Sequence, residues 1–391
     1  MKICACVAEY NPLHLGHLKH IDYMKTDLRA EKIIVVMSGN FTQRGEPAVM
    51  NKYKRARQAI IAGADAVIEL PVVFATGNAE TFARGAVNLV CDMNVADGLC
   101  FGAETADKDK FITLARAMND ESKEFKKALK EQLSDGVSLA KAKFLALKSL
   151  GRSELDESLI SSPNNILGLE YTKALLKRKS DIEIYPLLRE GSDHNDAVLK
   201  KGITSATSIR SVIRAAQFKK LKKSLPPFVY GELNEYPFAF DKMIMTRVIT
   251  SSAAELAEIS DCTEGLENRI KALSKDNRTV DALVEKVATK RYPATRIRRI
   301  LTANLLGIKN DFVKDCLDTG LYAKVLAVNS SSKDVISLLS EKSSIPVLTR
   351  KSDSASLKKL AAKSFEYDAL ANDLYNLATD EKNNEYQMLI V

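Results

Sequence analysis

No stretch of this sequence approaches the roughly twenty consecutive apolar residues that a membrane-crossing helix needs. No basic-then-apolar leader stands at its start, and the cytoplasm is the expected location. Cysteine is sparse: Cys4, Cys6, Cys91, Cys100, Cys262 and Cys316 make six, and none forms a C-x-x-C pair. Cys4 and Cys6 lie two apart on one strand face, poorly placed to bridge each other. That argues against a disulfide framework, and most of the six read as reduced core thiols. Repeats, low-complexity tracts and heptad runs are missing, which removes solenoids and coiled coils. No Ser- or Cys-centred catalytic triad is suggested.

What remains is an ordinary globular composition, 46% hydrophobic and 28% charged. At 391 residues the chain exceeds one usual core, so two domains are expected. The net charge of +8 permits a polyanionic partner without demanding one.

Of the four histidines, three fall within seven residues near the start, in KICACVAEYNPLHLGHLKH (residues 2–20). Residues 2–8 read as a buried parallel strand. Glu9-Tyr10-Asn11-Pro12 breaks it, and His14 opens an amphipathic helix that runs through Ile21 and Met24. A strand, a turn and a helix start make a polyphosphate site, because the unpaired N–H groups and the positive dipole end favour anions. His14 and His17, three apart, share a helix face and can donate to the same phosphate oxygens. Gly16 leaves room for a ligand or a neighbouring backbone. A metal site built on His14, His17 and His20 is the weaker reading. No acidic or cysteine ligand stands at a usual spacing, and His14 and His20 diverge around the helix.

Residues 32–37 read as a second buried strand, ending in a long polar loop from Ser38 to Pro47. Loops at the carboxyl ends of parallel strands bind ligands in open α/β sheets. Asn40, Gln43, Arg44 and Glu46 are therefore candidates for a substrate pocket. Residues 50–62 read as a helix with Lys52, Lys54, Arg55 and Arg57 outward, from which Lys52 and Arg55 could reach phosphate. Residues 66–70 and 98–101 read as the third and fourth strands, with a helix over 74–90 between them. Gly102, at the carboxyl end of the fourth, lets a base or ribose approach the backbone. A charged helical insertion, about 104–180, follows, and Pro163 and Asn164 start a helix within it. Residues 181–188 read as a fifth strand, followed by Arg189, Gly191 and His194. Thr204-Ser205-Ala206-Thr207-Ser208-Ile209-Arg210 then opens a helix whose hydroxyls, N–H groups and arginine can hold phosphate.

Pro226-Pro227 marks the expected division between residues 1–220 and 228–391. Helices are expected over 241–251, 264–274, 279–288, 295–306 and 357–380, with a β-α-β stretch over 323–349. Beyond residue 228, residues 290–299 are the densest basic cluster, and Arg291, Arg296, Arg298 and Arg299 beside Tyr292 are candidates to contact an RNA backbone.

His14-Leu15-Gly16-His17 resembles the H-x-G-H signature of the nucleotidyltransferase superfamily. The wider Glu9-to-His17 segment resembles one family within it, the bacterial tRNA(Met) cytidine acetate ligases, with Leu13 where they usually carry Phe and Leu15 in place of Asn. Ser38-Gly39-Asn40-Phe41-Thr42-Gln43-Arg44-Gly45-Glu46-Pro47-Ala48, Gly102-Ala103-Glu104, Pro163-Asn164-Asn165-Ile166-Leu167, the Arg189, Gly191 and His194 pattern, and Thr295-Arg296-Ile297-Arg298-Arg299 are similar to further stretches of that family. Ser205 to Arg210 resembles the superfamily's I-S-S-T-x-I-R element. The resemblance implies a Rossmann-like α/β nucleotidyltransferase domain with a parallel sheet, followed by a mainly helical α+β tRNA-binding region. It implies ATP binding at Val7, Ala8, Glu9, Tyr10, Asn11, Pro12, His14, Gly16, His17, His20, Gly102, Arg189, Ser205, Thr207 and Asn164, with Asn165 as the alternative to the last. His14, His17 and Arg210 become the expected catalytic residues.

The residues alone support binding of an ATP-type ligand and attack at its α-phosphate, with Mg²⁺ expected on the polyphosphate. The resemblance supplies the rest: acetate activated to acetyl-adenylate and passed to N4 of the wobble cytidine of elongator tRNA(Met). Two alternatives share parts of the pattern: a nucleotidyltransferase making a dinucleotide cofactor, and a non-catalytic RNA-binding protein that keeps a nucleotide fold.

Overall fold

The computed structural model describes residues 2–119, 122–134, 139–152, 155–189 and 205–391. Gly191 and His194, and Thr204 ahead of the second phosphate motif, lie outside them. Five parallel strands form the centre: β1 (Ile3–Ala8), β2 (Lys32–Ser38), β3 (Ala66–Leu70), β4 (Gly98–Ala103) and β5 (Glu183–Leu188). Their order across the sheet is β5-β4-β1-β2-β3. β1 therefore sits where the chain reverses its direction of progress across the sheet, the place where open α/β sheets bind ligands beyond their carboxyl ends.

The strands form because nearly every residue is apolar and both faces are covered. Alternation sorts them. Ile3 and Ala5 of β1 join Ile34, Val36, Ala66, Ile68 and Leu99 in the core on one face. Cys4 and Cys6 join Ile33, Val35, Met37, Val67 and Cys100 on the other. All six cysteines are free thiols.

The helices begin and end on ordinary chemistry. Asn51 caps Lys52–Ala62 by accepting Lys54 N–H at 2.8 Å, and Gly63 closes it in the left-handed region at φ +115°. The single helix expected over 74–90 is two, Val72–Ala75 and Ala79–Asp92, because Asn78 restarts the chain by accepting Thr81 N–H at 3.0 Å. The insertion is three charged helices, Lys108–Met118, Lys123–Ser134 and Leu139–Ser149, followed by Pro163–Lys177.

The sheet does not stop at Pro226-Pro227. β6 (Ala323–Val328) pairs antiparallel with β3, and β7 (Val347–Leu348) and β8 (Leu389–Ile390) pair parallel with successive halves of β6. The β-α-β stretch expected over 323–349 thus extends the amino-terminal sheet and covers its β3 edge. The helices beyond residue 228, including Ala239–Thr250, Leu266–Ser274, Val280–Val287 and Ala294–Leu306, place Phe240, Ile270, Leu283 and Ile297 in the same apolar cluster as Ile3 and Phe74. Among the described residues, no helix is long and apolar enough to cross a membrane.

A buried charge network locks β6 in place. Lys52 Nζ lies 2.8 Å from Glu69 and 2.6 Å from Glu385; Lys324 Nζ lies 2.8 Å from Glu69 and also pairs with Glu385. All four side chains are at most 5% exposed. Lys52 is therefore a structural cation rather than the phosphate contact expected of an exposed helix face. Burial alone would raise the Glu69 carboxyl, but Lys324 and Lys52 outweigh it and hold the group below its ordinary value. Glu385→Ala leaves two ammonium groups under-compensated in the core. It is expected to cost about 3–5 kcal/mol in urea unfolding of the full chain.

Candidate active site

A cavity of about 730 Å³ opens at the carboxyl ends of β1, β4 and β5. The start of the Leu15–Thr26 helix forms one wall. His14 is its N-cap: its Nδ1 accepts Gly16 N–H at 3.1 Å, while His17 Nδ1 accepts His14 N–H at 3.2 Å. This is a capping box built from two histidines instead of the usual Ser and Glu. Each Nδ1 that accepts an N–H carries no proton, so the neutral rings hold theirs on Nε2. The rings stack at 3.7 Å between centroids and 19° between planes, and Tyr10 meets His17 edge-on at 4.9 Å.

Burial sets the charge of these rings. It lowers the His14 pKa to about 3, helped by the guanidiniums of Arg189 and Arg210. It lowers His17 well below its ordinary value, with His14 and then Arg189 adding to the effect. His20, whose Nε2 lies 3.1 Å from Cys100 Sγ, is lowered to about 4 by burial and then Arg189. All three histidines line the cavity as neutral rings, and His14 and His17 are directed donors without charge.

Two more helices start on the same cavity. Pro163 and Asn164 stand at the beginning of Pro163–Lys177, and Ser205, Ala206 and Thr207 at the beginning of Ala206–Arg214. Three helix N-termini thus direct N–H groups and positive dipole ends toward one space. Buried Arg210 donates from Nη1 to Asn11 O at 3.0 Å and from Nη2 to Thr207 Oγ1 at 3.3 Å. Arg189 packs over Gly102; a Cβ there would come within 3.3 Å of Arg189 Cγ. Apolar surface from Phe82, Phe101, Ile166, Leu167, Tyr171 and Leu187 completes the lining. Ile166 and Leu167 belong to the Pro163–Leu167 motif; no motif flagged Phe82, Phe101, Tyr171 or Leu187, though their apolar positions in strands and helices could have.

Most of the expected nucleotide residues meet here: Val7, Ala8, Glu9, Tyr10, Asn11, His14, Gly16, His17, His20, Gly102, Asn164, Arg189, Ser205, Thr207 and Arg210. Pro12 is buried off the lining and follows Asn11 through a cis peptide bond. Asn165, the alternative to Asn164, is 1% exposed; it accepts Glu104 and Thr105 N–H and donates to Thr105 and Ser158. Asn164 donates to Glu104 at 2.6 Å and borders the cavity.

The second expected group divides. Gln43 and Arg44 line the cavity. Asn40 is buried and structural, accepting Lys52 N–H at 2.8 Å and donating to Asn372 at 3.2 Å. Glu46 turns the other way, 3.5 Å from Arg214 and 3.4 Å from Arg298. Arg55 is not an exposed phosphate ligand. Fully buried, it donates to the carbonyls of Glu9 at 2.6 Å, Ser38 at 3.1 Å, Met50 at 2.9 Å and Gly39. It ties the ends of β1 and β2 together beneath the site.

The basic helix is also largely committed inward. Arg299 is 9% exposed, lines the cavity and donates to Asp261 at 3.0 Å. Its backbone lies where a Cβ on Gly45 would be, 2.3 Å from Arg299 N, and Gly45 holds φ +72°. Arg298 pairs with Asp281 at 2.5 Å, Arg296 donates to Asp261 O at 3.1 Å and Thr263 at 2.8 Å, and Arg291 pairs with Glu264 at 3.1 Å.

Arg55→Met removes every donor from those four carbonyls and is expected to cost at least about 3 kcal/mol in urea unfolding. The histidines set a pH dependence. The unfolded chain takes up their protons near the ordinary value of 6.5, while folded His14 and His20 resist to about 3 and 4. The unfolded state binds more protons in that window, so stability is full above about pH 6.5 and falls as the solution is acidified. The urea midpoint is expected to drop between pH 7 and 4.5 more steeply than in a His14→Gln, His17→Gln variant. Nitrogen-15 spectra at pH 7 should show both rings as Nε2–H tautomers.

Compared with known proteins, the chain matches the HIGH Nucleotidyl Transferase family model over residues 1–388. It is 38% identical to the tRNA(Met) cytidine acetate ligase of Thermoanaerobacter sp. (strain X514) over 386 residues, covering 97% of this chain and 96% of that one. It is 33% identical to that of Clostridium acetobutylicum over 421 residues, covering both chains completely. Among solved structures it superposes on Thermotoga maritima TmcAL in its apo form with a TM-score of 0.94, and on the form bound with alpha-thio ATP with 0.91. Both are 28% identical and are covered, like this chain, over 100% of their length. The chain belongs to the tRNA(Met) cytidine acetate ligase family of HIGH nucleotidyltransferases.

Proposed function

We propose that this protein is an ATP-dependent ligase that acetylates N4 of the wobble cytidine of elongator tRNA(Met), acting in the cytoplasm. One observation carries the chemistry: His14 and His17, neutral and tied by Nδ1 to the backbone, sit at a helix N-terminus beside a cavity that Arg189 and Arg210 also border. Its family membership, through relatives named for this reaction, supports the substrates.

In the first step an acetate oxygen attacks the α-phosphorus of ATP. The bond from that phosphorus to the β-phosphate bridging oxygen breaks, and pyrophosphate leaves. His14 and His17 donate from Nε2 to phosphate oxygens as charge builds there, and Arg210 and Arg189 supply positive charge. Gln43 and Arg44 hold the acetate. The apolar wall of Phe101, Leu167 and Tyr171 takes the adenine, with Gly102 allowing close approach. In the second step the cytidine N4 attacks the acetyl carbon, the carbon–oxygen bond to AMP breaks, and N4 loses a proton.

Mg²⁺ suits this site as a passenger of the polyphosphate, where it would neutralise phosphate charge. Among the described residues no cluster of three or more metal-ligating side chains exists. The cavity carboxylates are Glu9, Asp22 and Asp27, and Glu9 already accepts Gln43 N–H at 2.6 Å. One or two carboxylates plus phosphate oxygens and water form an ordinary Mg²⁺ environment. Burial pushes the Cys100 thiol up, away from the thiolate form that a nucleophile needs.

The test is a reaction of the protein with ATP, Mg²⁺, labelled acetate and bulk bacterial tRNA, followed by nucleoside analysis. Label in N4-acetylcytidine that depends on ATP and tRNA is the expected result. Pyrophosphate release with another small acceptor would point to a cofactor-forming transferase, and tRNA binding without ATP turnover to a binding protein. His14→Ala and His17→Ala should each slow acetate-dependent ATP–pyrophosphate exchange by about 10²–10³. Unchanged exchange would refute the roles given to them.

A further inference from the structure

The arginines of the 290–299 cluster are poor candidates for the main RNA contact. Arg291, Arg296, Arg298 and Arg299 are each engaged by Glu264, Asp261, Asp281 or neighbouring oxygens. A phosphate would have to displace an ion pair already made, so the net gain per contact is small.

A different set of cations has no such commitment among the described residues. Lys219, Lys220, Lys222 and Lys223 are four lysines within five residues, and all are exposed. Among the described residues no carboxylate lies within ion-pair distance of any of them, and Lys220 only donates to Gln217 at 2.6 Å. They are not on a loose tail. They flank Leu221, which is fully buried with Leu225 in the apolar cluster that includes Ile21, Met24 and Ile213. Lys219 and Lys220 lie in a short 3-10 turn, Phe218–Leu221, and Lys222 and Lys223 follow it directly. The Ala206–Arg214 helix leads to this turn, and its first residues line the cavity. Nine helical residues span about 13 Å, so the lysines begin roughly 15–20 Å from the cavity. A stacked strand rises about 3.4 Å per nucleotide, which makes that distance about five nucleotides.

We propose that Lys219, Lys220, Lys222 and Lys223 form the docking surface for the phosphate backbone of the tRNA strand that leads away from the cytidine in the cavity. The inference rests on the ligase reading above and adds where the RNA is held. Four exposed ammonium groups, with no carboxylate partner among the described residues, match a run of phosphates in charge. They read no sequence, so they contribute affinity and register. The exposed helical stripe of Lys126, Lys127 and Lys130 offers similar charge on the insertion. It follows no element that starts at the cavity, so it serves as the control.

The experiment uses the full chain with all four lysines changed to Ala, beside a control with Lys126→Ala, Lys127→Ala and Lys130→Ala. The affinity of a tRNA(Met) transcript is measured across a salt series, and acetate-dependent ATP–pyrophosphate exchange is measured without RNA. The quadruple variant should bind tRNA at least about tenfold more weakly, with a salt slope shallower by about 2 to 3, and should exchange at the parent rate. The control should stay within about twofold of the parent. Unchanged affinity and slope in the quadruple variant would overturn the proposal, as would an equal loss in the control or a loss of exchange in the quadruple variant. A parent protein with no acetate-dependent exchange would instead sink the ligase reading itself.

Discussion

The site hangs on one buried cation. Arg55 reaches from the Lys52–Ala62 helix to carbonyls at the ends of both β1 and β2, the two strands whose loops carry Glu9 to His17 and Asn40 to Gly45. Parallel strands end in carbonyls with no partner beyond the sheet, and two such ends side by side would drift apart or take up water. A guanidinium has five donors in a rigid fork and can satisfy several carbonyls at once. Burial lowers its pKa only to about 10, so it keeps its charge at neutral pH. From that pin the rest follows: Glu9 holds Gln43, Asn11 holds Val49, and Arg210 holds Asn11.

Charge in the cavity is divided between two kinds of donor. The histidines give direction without charge, because their Nδ1 atoms are spent on the backbone. The arginines, Arg189 and Arg210, bring the charge to the same cavity. Separating these roles avoids stacking two imidazolium rings at 3.7 Å, which a charged pair could not tolerate. Helices from both parts of the chain support this arrangement from outside: Arg298 of Ala294–Leu306 and Arg214 of Ala206–Arg214 both pair with Glu46 and Asp281, clamping the far side of the Gln43–Arg44 turn.

The sequence showed the parallel strands plainly, since short, largely apolar runs bounded by Gly, Pro or polar turns admit few other readings. It also showed the two helix starts at His14 and Ser205, which meet at one cavity, because glycine, histidine and hydroxyl residues at a strand-to-helix turn stand in a fixed order. It failed where a long polar side chain had to be placed. Lys52, Arg55, Asn40 and Arg299 look like surface or ligand residues on a helix or loop. Arg55 is instead buried against carbonyls of the neighbouring strand ends and that of Met50, and Lys52, Asn40 and Arg299 by partners far away in sequence, Glu385, Asn372 and Gly45. Local periodicity cannot see a partner hundreds of residues distant. The same blindness made Pro226-Pro227 look like a division, although β6 returns across it to pair with β3.

That return strand has a consequence for how the protein is made. β3 ends at Leu70, but the strand that covers its open edge begins at Ala323, and Glu385, which neutralises Lys52, is supplied only near the carboxyl terminus. At ordinary translation rates of about 5–20 residues per second, the gap lasts on the order of tens of seconds. Throughout it the nascent sheet carries an unpaired apolar edge and a buried lysine without half its counter-charge, conditions that favour edge-to-edge association between neighbouring chains on a polysome. The cavity therefore cannot mature in step with its own synthesis. A chain that stops short of Ala323 carries His14, His17 and Arg210 and no finished sheet to hold them.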